Sequence, residues 1–392
     1  MSIKLAILSI SVITIMAGAA VAPALGEISA AFPDASQTLI KLINTLHAVW
    51  VIPFTFVSSW LTTRYSKKSV LVAGLLLYII GGVGGAVANH IWFLLATRAV
   101  LGIAVGLIMP ISTSLVSDFY DGDERTDMMG KLSASTQLGG IISMTIAGIL
   151  AAVSWRLSFG VYGLALIVLI LVWLYLPKQH VPGRKQSAEH VKLNKQIYGF
   201  AFGMFIVFVF FYSIPTNLAI YLQENNIANS TISGFIIALS TLGGFFGGML
   251  LARFKHLLGY YLIPGQVLLM GTGFSLIAFT SPAITVSVGV FTIGLGAGTL
   301  IPTIYNTISN VVDKRQMMTA MATAQTFMYL GQFMSPVLLD TAAGLFGQNT
   351  NQFIYSLSAY LILTVAILLF IFVAIKYQPG HGRLAEKRGQ GD

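Results

Sequence analysis

The sequence predicts an all-helical integral membrane protein made of two equivalent sets of six membrane-spanning helices. Three observations carry this. Hydrophobic residues are 56% of the 392-residue chain and charged residues only 9%, against about 25% charged in an average soluble domain. So few charges cannot cover a surface that faces water. The apolar residues also fall into twelve runs, each close to the ~20 residues a helix needs to cross the hydrocarbon core. Finally, Gly102-Ile-Ala-Val-Gly106-Leu-Ile-Met-Pro110 returns as Gly294-Leu-Gly-Ala-Gly298-Thr-Leu-Ile-Pro302, 192 residues later and close to half the chain length.

Taken in order, the predicted spans 1 to 6 are 4–26, 38–61, 69–90, 92–117, 129–153 and 157–176. Spans 7 to 12 are 197–222, 231–252, 258–280, 283–309, 318–342 and 352–376. Backbone groups in lipid must bond within their own segment, so these runs are helices. Shorter repeats keep nearly the same offset: Leu61 and Arg64 with Leu250 and Arg253, Asp123-Glu-Arg125 with Asp313-Lys-Arg315, and Leu138-Gly139 with Leu330-Gly331. The organisation that follows is a first bundle at 1–176, a cytoplasmic linker at 177–195, a second bundle at 196–376 and a polar, Gly-rich tail at 377–392, expected to be disordered.

Span 1 begins like a signal peptide, with Lys4, an apolar run and Ala19-Ala-Val-Ala22. Pro23 directly after the small residues disfavours cleavage, and removal would leave the first set one helix short. An uncleaved helix is expected. Lys41, Arg98 and Arg156 aside, the other 19 of 22 Lys and Arg lie on one side of this topology. The positive-inside bias makes that side cytoplasmic and puts both termini there.

A net charge of +9 raises the question of nucleic acid. The basic residues, however, sit in short gaps without interleaved aromatics, so no such partner is expected. The chain has no cysteine and six scattered histidines, which excludes disulfides and thiolate metal sites and offers no ligand spacing. No nucleophile–base set stands out. Neither an enzyme nor a bound cofactor or metal is expected. Two equivalent apolar halves are the mark of a secondary transporter, with its cargo site between the halves near the bilayer midplane. Glycines cluster within spans, as in Gly81-Gly-Val-Gly-Gly85 and Gly243-Gly-Phe-Phe-Gly-Gly248. Small residues let helices approach closely, and both static packing and sliding remain open for them. No strand precedes them and no Lys follows, which argues against phosphate-binding loops.

The loop after span 2, Ser59-Trp-Leu61-Thr-Thr63-Arg64-Tyr-Ser66-Lys67-Lys68, resembles the G-x-L-x-D-R-x-G-R-[KR] signature of the major facilitator superfamily. Leu61, Arg64, Lys67 and Lys68 match, serines replace both glycines, and Thr63 replaces the aspartate. The second copy, Gly248-Met-Leu250-Leu-Ala252-Arg253, also lacks the acid. Arg98 with Gly102 and Gly106 is similar to the R-x-x-x-G-x-x-x-G pattern of the twelve-helix drug/proton antiporter branch. Trp155-Arg156 with Phe159, and Pro23-Ala-Leu-Gly-Glu27-Ile, fit that branch as well. The branch's span-5 pattern G-x-x-x-G-P-x-x-G-G departs here: Gly139-Gly-Ile-Ile-Ser-Met144-Thr-Ile-Ala-Gly148 has no proline, whereas span 11 keeps Pro336. The resemblance implies the major facilitator fold and a cytoplasmic gate formed by Arg64, Lys67, Lys68, Asp118 and Arg253. With Thr63 uncharged, Asp118 is expected either to pair with Arg64 or to belong to a solvated acidic run.

Charges inside a bilayer are costly and need a reason. Arg98 is either a structural arginine or a cavity charge, and the resemblance favours the cavity. His47 shares its helix with Asn44 and is the mid-membrane group that titrates near neutrality. It is either a satisfied interior histidine or a proton-coupling group, as is Glu27 at the outer end of span 1. The resemblance also places the cavity among spans 1, 4, 7 and 10, flanked by 2, 5, 8 and 11. The candidate lining is Met16, Gln137, Met144, Phe208, Tyr212, Asn217, Tyr305, Asn306, Gln325 and Tyr329. With no carboxylate near the midplane, neutral or anionic amphiphiles are the expected cargo. The expectation is a monomeric, proton-coupled exporter in the plasma membrane, working by alternating access. A proton-coupled importer or uniporter, and a non-transporting receptor, are the alternatives.

Overall fold

The structure is a computed structural model that describes residues 2–177, 193–313 and 316–376. Most of the predicted linker and all of the predicted tail lie outside the described residues. The described chain is a succession of long helices without strands. Span 1 is Ser2–Ala19, a 3-10 turn at Ala22–Ala24 and a short helix Leu25–Ala31. Spans 2 to 5 are Gln37–Leu61, Lys67–Val83, Ile91–Phe119 and Gly122–Val153. Span 6 runs from Trp155–Ser158 through a 3-10 stretch, Phe159–Gly163, into Leu164–Tyr175. Span 7 is Lys195–Phe211 continued by Ser213–Glu224. Spans 8 to 12 are Ser230–Leu258, Leu262–Phe279, Ala283–Val311, Met317–Leu345 and Asn351–Lys376.

Among the described residues, ten stretches are long and apolar enough to cross a membrane. One of them, Ser230–Phe279, is 50 residues long. As one straight helix it would extend about 75 Å at 1.5 Å per residue, over twice the ~30 Å core. It is instead two helices, divided where Gly259 takes φ +51°, a conformation that side chains rarely tolerate. Met317–Leu345 has the length, 29 residues, but Gln325, Gln332 and its threonines lower its apolarity. This twelfth crossing stands on length and packing.

The helices start where the sequence supplies caps. Ser36 accepts from the Leu39 amide at 3.3 Å, Ser66 from Ser69 at 3.2 Å and Asn229 from Ile232 at 3.0 Å, each occupying an amide that the helix leaves unbonded.

Packing repeats with the sequence. Span 2 packs on span 4, span 3 on spans 4 and 6, and span 1 on span 5; six spans later, span 8 packs on 10, span 9 on 10 and 12, and span 7 on 11. Between the sets, span 5 lies along span 8 and span 2 along span 11. Exchanging the halves turns one of these contacts into the other. The repeated glycine motif makes equivalent joints in each set. A Cβ on Gly102 would fall 2.3 Å from the His47 carbonyl oxygen, and one on Gly294 would fall 2.1 Å from that of Ser240. These glycines stand where two backbones approach closely, a geometry that static packing and sliding both require.

Candidate transport site between the helix sets

The seam between the sets is tight at one end. There, where residues 31–37, 224–230 and 345–351 connect helices, a Cβ on Gly148 of span 5 would lie 2.8 Å from the Ser230 carbonyl oxygen and 3.0 Å from the Gly234 Cα of span 8. Toward mid-helix the contact loosens to side-chain tips, with the Thr241 methyl 3.4 Å from a Gly140 Cβ and the Gln137 amide 3.6 Å from a Gly244 Cβ. Further along, Gly130 and Gly248 have nothing within 4 Å of such an atom. The two helices therefore splay apart toward the Arg64 end.

Hydrogen bonds across the seam follow the same gradient. At the closed end Lys41 Nζ is 2.6 Å from Asp340 Oδ1, Thr38 donates to Asp340 Oδ2 at 2.8 Å, and Ser230 donates to Glu27 at 2.9 Å. Gln223 also donates to Glu27, at 3.3 Å. Mid-seam, Gln332 Nε2 is 3.3 Å from His47 Nε2, and Asn44 donates to the Pro215 carbonyl at 3.4 Å. Beyond them, Tyr329 Oη and Gln325 Nε2 contact Met109 Sδ at 3.0 and 3.9 Å. Of these bonds, those to Met109 lie nearest the Arg64 end.

Helices position this centre through local departures from regularity. Span 1 breaks at Ala22-Pro23-Ala24, and just before the break Tyr78 and Tyr162 donate to the carbonyls of Ile13 and Ala17 at 2.7 and 3.1 Å. Next along the chain is Gly18, where a Cβ would sit 3.1 Å from His47 and 3.2 Å from the Tyr212 hydroxyl. Gly18, His47, Tyr212 and Gln332 thus bring spans 1, 2, 7 and 11 to one point. Phe208 stacks on Tyr212 with ring centroids 6.0 Å apart. Asn217 is fully buried, and neither its amide nitrogen nor its oxygen has a partner; Asn44 Oδ1 and Thr45 Oγ1 are also unpartnered. Such atoms are rare inside proteins because leaving them unbonded costs about 1–3 kcal/mol each. A band of unpaired polar groups between two halves is a place where water or cargo can bind.

The other predicted lining residues divide. Gln137, Gln325 and Tyr329 reach the opposite half as described. Met144 receives the Thr241 hydroxyl at 4.0 Å across the seam, and Tyr305 contacts Met328 within its own half at 3.9 Å. Met16 is fully buried in the apolar core and Asn306 is exposed. Arg98 is fully buried, and its contacts lie in spans 3, 4 and 6. It donates to the Gly81 and Gly82 carbonyls at 2.7 and 3.1 Å and lies over the rings of Phe159 and Tyr162 at 4.9 and 5.1 Å. These contacts tie Arg98 to span 3 rather than to span 1 or Glu27, and its buried Nη1 has no partner.

The predicted gate residues are placed differently from one expectation. Asp118 pairs with Lys67 at 2.5 Å rather than with Arg64. Ser66 caps span 3, so Lys67 opens that helix facing the end of span 4, while the Arg64 guanidinium settles 4.3 Å over the Trp60 ring one turn back. Lys68 donates to the carbonyls of Trp173 and Leu176 at the end of span 6, at 2.7 and 2.6 Å, where a cation is favoured. Arg253 is exposed. The Lys67–Asp118 pair is partly exposed, 14% and 28%. Lys67→Ala should therefore cost no more than about 1 kcal/mol, read as a small change in thermal unfolding in detergent.

Among the seam residues that sequence reasoning missed are Lys41, Met109, Gln332 and Asp340. Signals were present. Gln332 follows the repeated Leu330-Gly331, Met109 lies within the repeated glycine motif, and Lys41 is a lysine on the side that otherwise lacks them.

Long apolar helices in two equivalent sets, a seam closed at one end and a polar band within it define a membrane transporter of the two-bundle type. The chain belongs to the Major Facilitator Superfamily, whose family model matches residues 7–336. Among curated proteins it is 25% identical over 321 residues to the quinolone resistance protein NorA of Staphylococcus aureus (strain COL), covering 79% of this chain and 81% of that one. It is 30% identical to the arabinose-proton symporter of Escherichia coli (strain K12) over 139 residues, 34% of this chain and 29% of that one. Among solved structures, the nucleoside transporter NupG superposes with a TM-score of 0.76 at 12% identity, over 94% of this chain and 99% of that one. A bacterial homolog of the human lysosomal transporter Spinster, in an inward-facing and occupied conformation, gives 0.74 at 14% identity, over 96% and 97%. At these identities the likeness is one of fold.

Proposed function

We propose that this chain is a proton-coupled exporter of small neutral or anionic amphiphiles in a bacterial plasma membrane. Both termini are cytoplasmic, so the closed end faces outward and the splayed end inward. The observation that carries the reading is the graded seam. Backbone contact at one end gives way to side-chain contacts and then to open space, the geometry of one state of an alternating-access cycle. The middle of that seam offers Phe208, Tyr212, Tyr329 and Met109 for apolar contact, with His47, Asn44, Asn217 and Gln332 as a few polar groups, which suits a small hydrophobic ligand. Likeness to NorA over most of the chain supports drug-like cargo, and a quinolone, an amphiphile with a carboxylate, is the first compound to try.

The test is quinolone flux in proteoliposomes under an imposed proton gradient. Exchange of the drug against protons is expected. Drug moving with protons would overturn export and favour the second reading, a proton-coupled importer, which the partial likeness to a sugar–proton symporter supports. Gln332→Leu removes the cross-seam partner of His47 without adding bulk. Flux is expected to fall several-fold while folding, checked by gel filtration, is retained.

A further inference from the structure

The Lys41–Asp340 pair joins residues 299 apart in the chain, and nothing above assigns it a task. It lies two turns from the His47–Gln332 contact along span 11, at the closed end of the seam. Asp340 takes two bonds from span 2, from Lys41 Nζ at 2.6 Å and from Thr38 Oγ1 at 2.8 Å. The Lys41 side chain is 2% exposed and that of Asp340 15%. Asp340 and Lys41 both border a pocket of about 350 Å³, with Ser36, Gln37, Asn349 and Asn351. Asn351 is buried and its Oδ1 has no partner. The anion is thus the more solvent-accessible partner of the pair.

We infer that Asp340 is a proton-operated latch: a proton taken by its carboxyl from the outer solution discharges the pair and frees the closed end to open. This rests on the alternating-access reading proposed above. The proton adds to the carboxylate, no other bond is made, and Lys41 keeps its charge but loses its counter-ion. A buried ammonium without an anion is strongly unfavourable. Parting of spans 2 and 11 relieves it by admitting water. Glu27, the other carboxylate bridging the seam, accepts only from neutral Ser230 and Gln223, so protonating it strands no charge.

The surroundings of Asp340 leave Lys41 as its counter-charge. Span 7 brings Glu224, which attracts Lys41 from a distance and accepts from Asn351 at 3.0 Å. Span 12 brings Asn351 itself and Tyr355, whose hydroxyl donates to the Ser213 carbonyl. The adjoining third of span 10, Ala283 to Gly294, has no titratable residue.

The natural chain has no cysteine, so Ala31→Cys with Gln348→Cys, both at exposed positions of the closed end, gives one spin-label pair across the seam. The readout is the inter-label distance by pulsed EPR, in the full chain reconstituted in liposomes, from about pH 8 to about pH 4, which brackets carboxylate titration. The expected result is a longer-distance population that grows on acidification. In Asp340→Asn that population should already be present at about pH 8 and should not respond to pH. The double variant Lys41→Gln with Asp340→Asn keeps a neutral hydrogen-bonding pair and guards against misfolding of the single variant. It too should be indifferent to pH. A pH response surviving in either variant, or none in the parent, would overturn the latch. Because the distance needs neither cargo nor gradient, the latch and the exporter reading can fail separately.

Discussion

Gly102→Leu is expected to abolish most of the folded protein. The new Cβ would meet the His47 carbonyl oxygen at 2.3 Å and the Trp50 Cβ at 2.8 Å. Neither can turn aside, because one is backbone and the other is the root of a side chain. Span 4 must then move away from span 2 along their whole contact. Overpacking a core that can adjust costs about 1–3 kcal/mol, and this site, with backbone against backbone, should exceed that range. Gly294→Leu should behave alike, since its Cβ would meet the Ser240 carbonyl oxygen at 2.1 Å. Gly199 is the control: nothing lies within 4 Å of a Cβ there, and Gly199→Ala should be neutral or stabilising by up to about 1 kcal/mol from helix propensity. Yield of monodisperse protein and thermal unfolding in detergent measure all three. A well-folded Gly102→Leu protein would refute the packing role.

Arg98→Ala should lower stability by about 2–4 kcal/mol, and Arg98→Lys should recover little of it. Two charge-assisted bonds to carbonyls contribute about 1.5–3 kcal/mol each, and stacking on two rings adds to this. Against these stands the cost of keeping a guanidinium away from water, which the variants recover in part. Lysine retains the charge but not the planar fork that reaches Gly81 and Gly82 while lying flat on Phe159 and Tyr162. A cavity charge would behave differently, since Arg98→Lys would then keep both folding and flux. Thermal unfolding and quinolone flux on the same preparations separate the two roles.

Much of the architecture is legible in single segments. Apolar run length sets each crossing, and glycines such as Gly102, Gly106, Gly294 and Gly298 mark where a helix can be approached closely, because only absent side chains let two backbones touch. Arg98 was identifiable as deeply placed for the same local reason, being a charge within an apolar run. Its orientation was not. Helical periodicity says which residues share a face but not which neighbour that face meets, and Arg98 faces spans 3 and 6 where the family resemblance had suggested a cavity. The Asp118 partner shows the same limit at shorter range. Arg64 and Lys67 are three residues apart, and the Ser66 cap decides which of them faces span 4.

From its own residues, then, the chain determined that it lies in a membrane, that its helices come as two repeated sets, and which spans carry the small residues that allow close approach. These follow from solvation and from side-chain size, which every residue carries with it. The tertiary structure alone decided that Lys41 meets Asp340 and that His47 meets Gln332, partners separated by 299 and 285 residues. It alone decided that the seam is closed at one end and splayed at the other. Both depend on how two rigid sets of helices sit against each other, and arrangements of the same residues that differ by only a few kcal/mol leave no mark on the order of the amino acids.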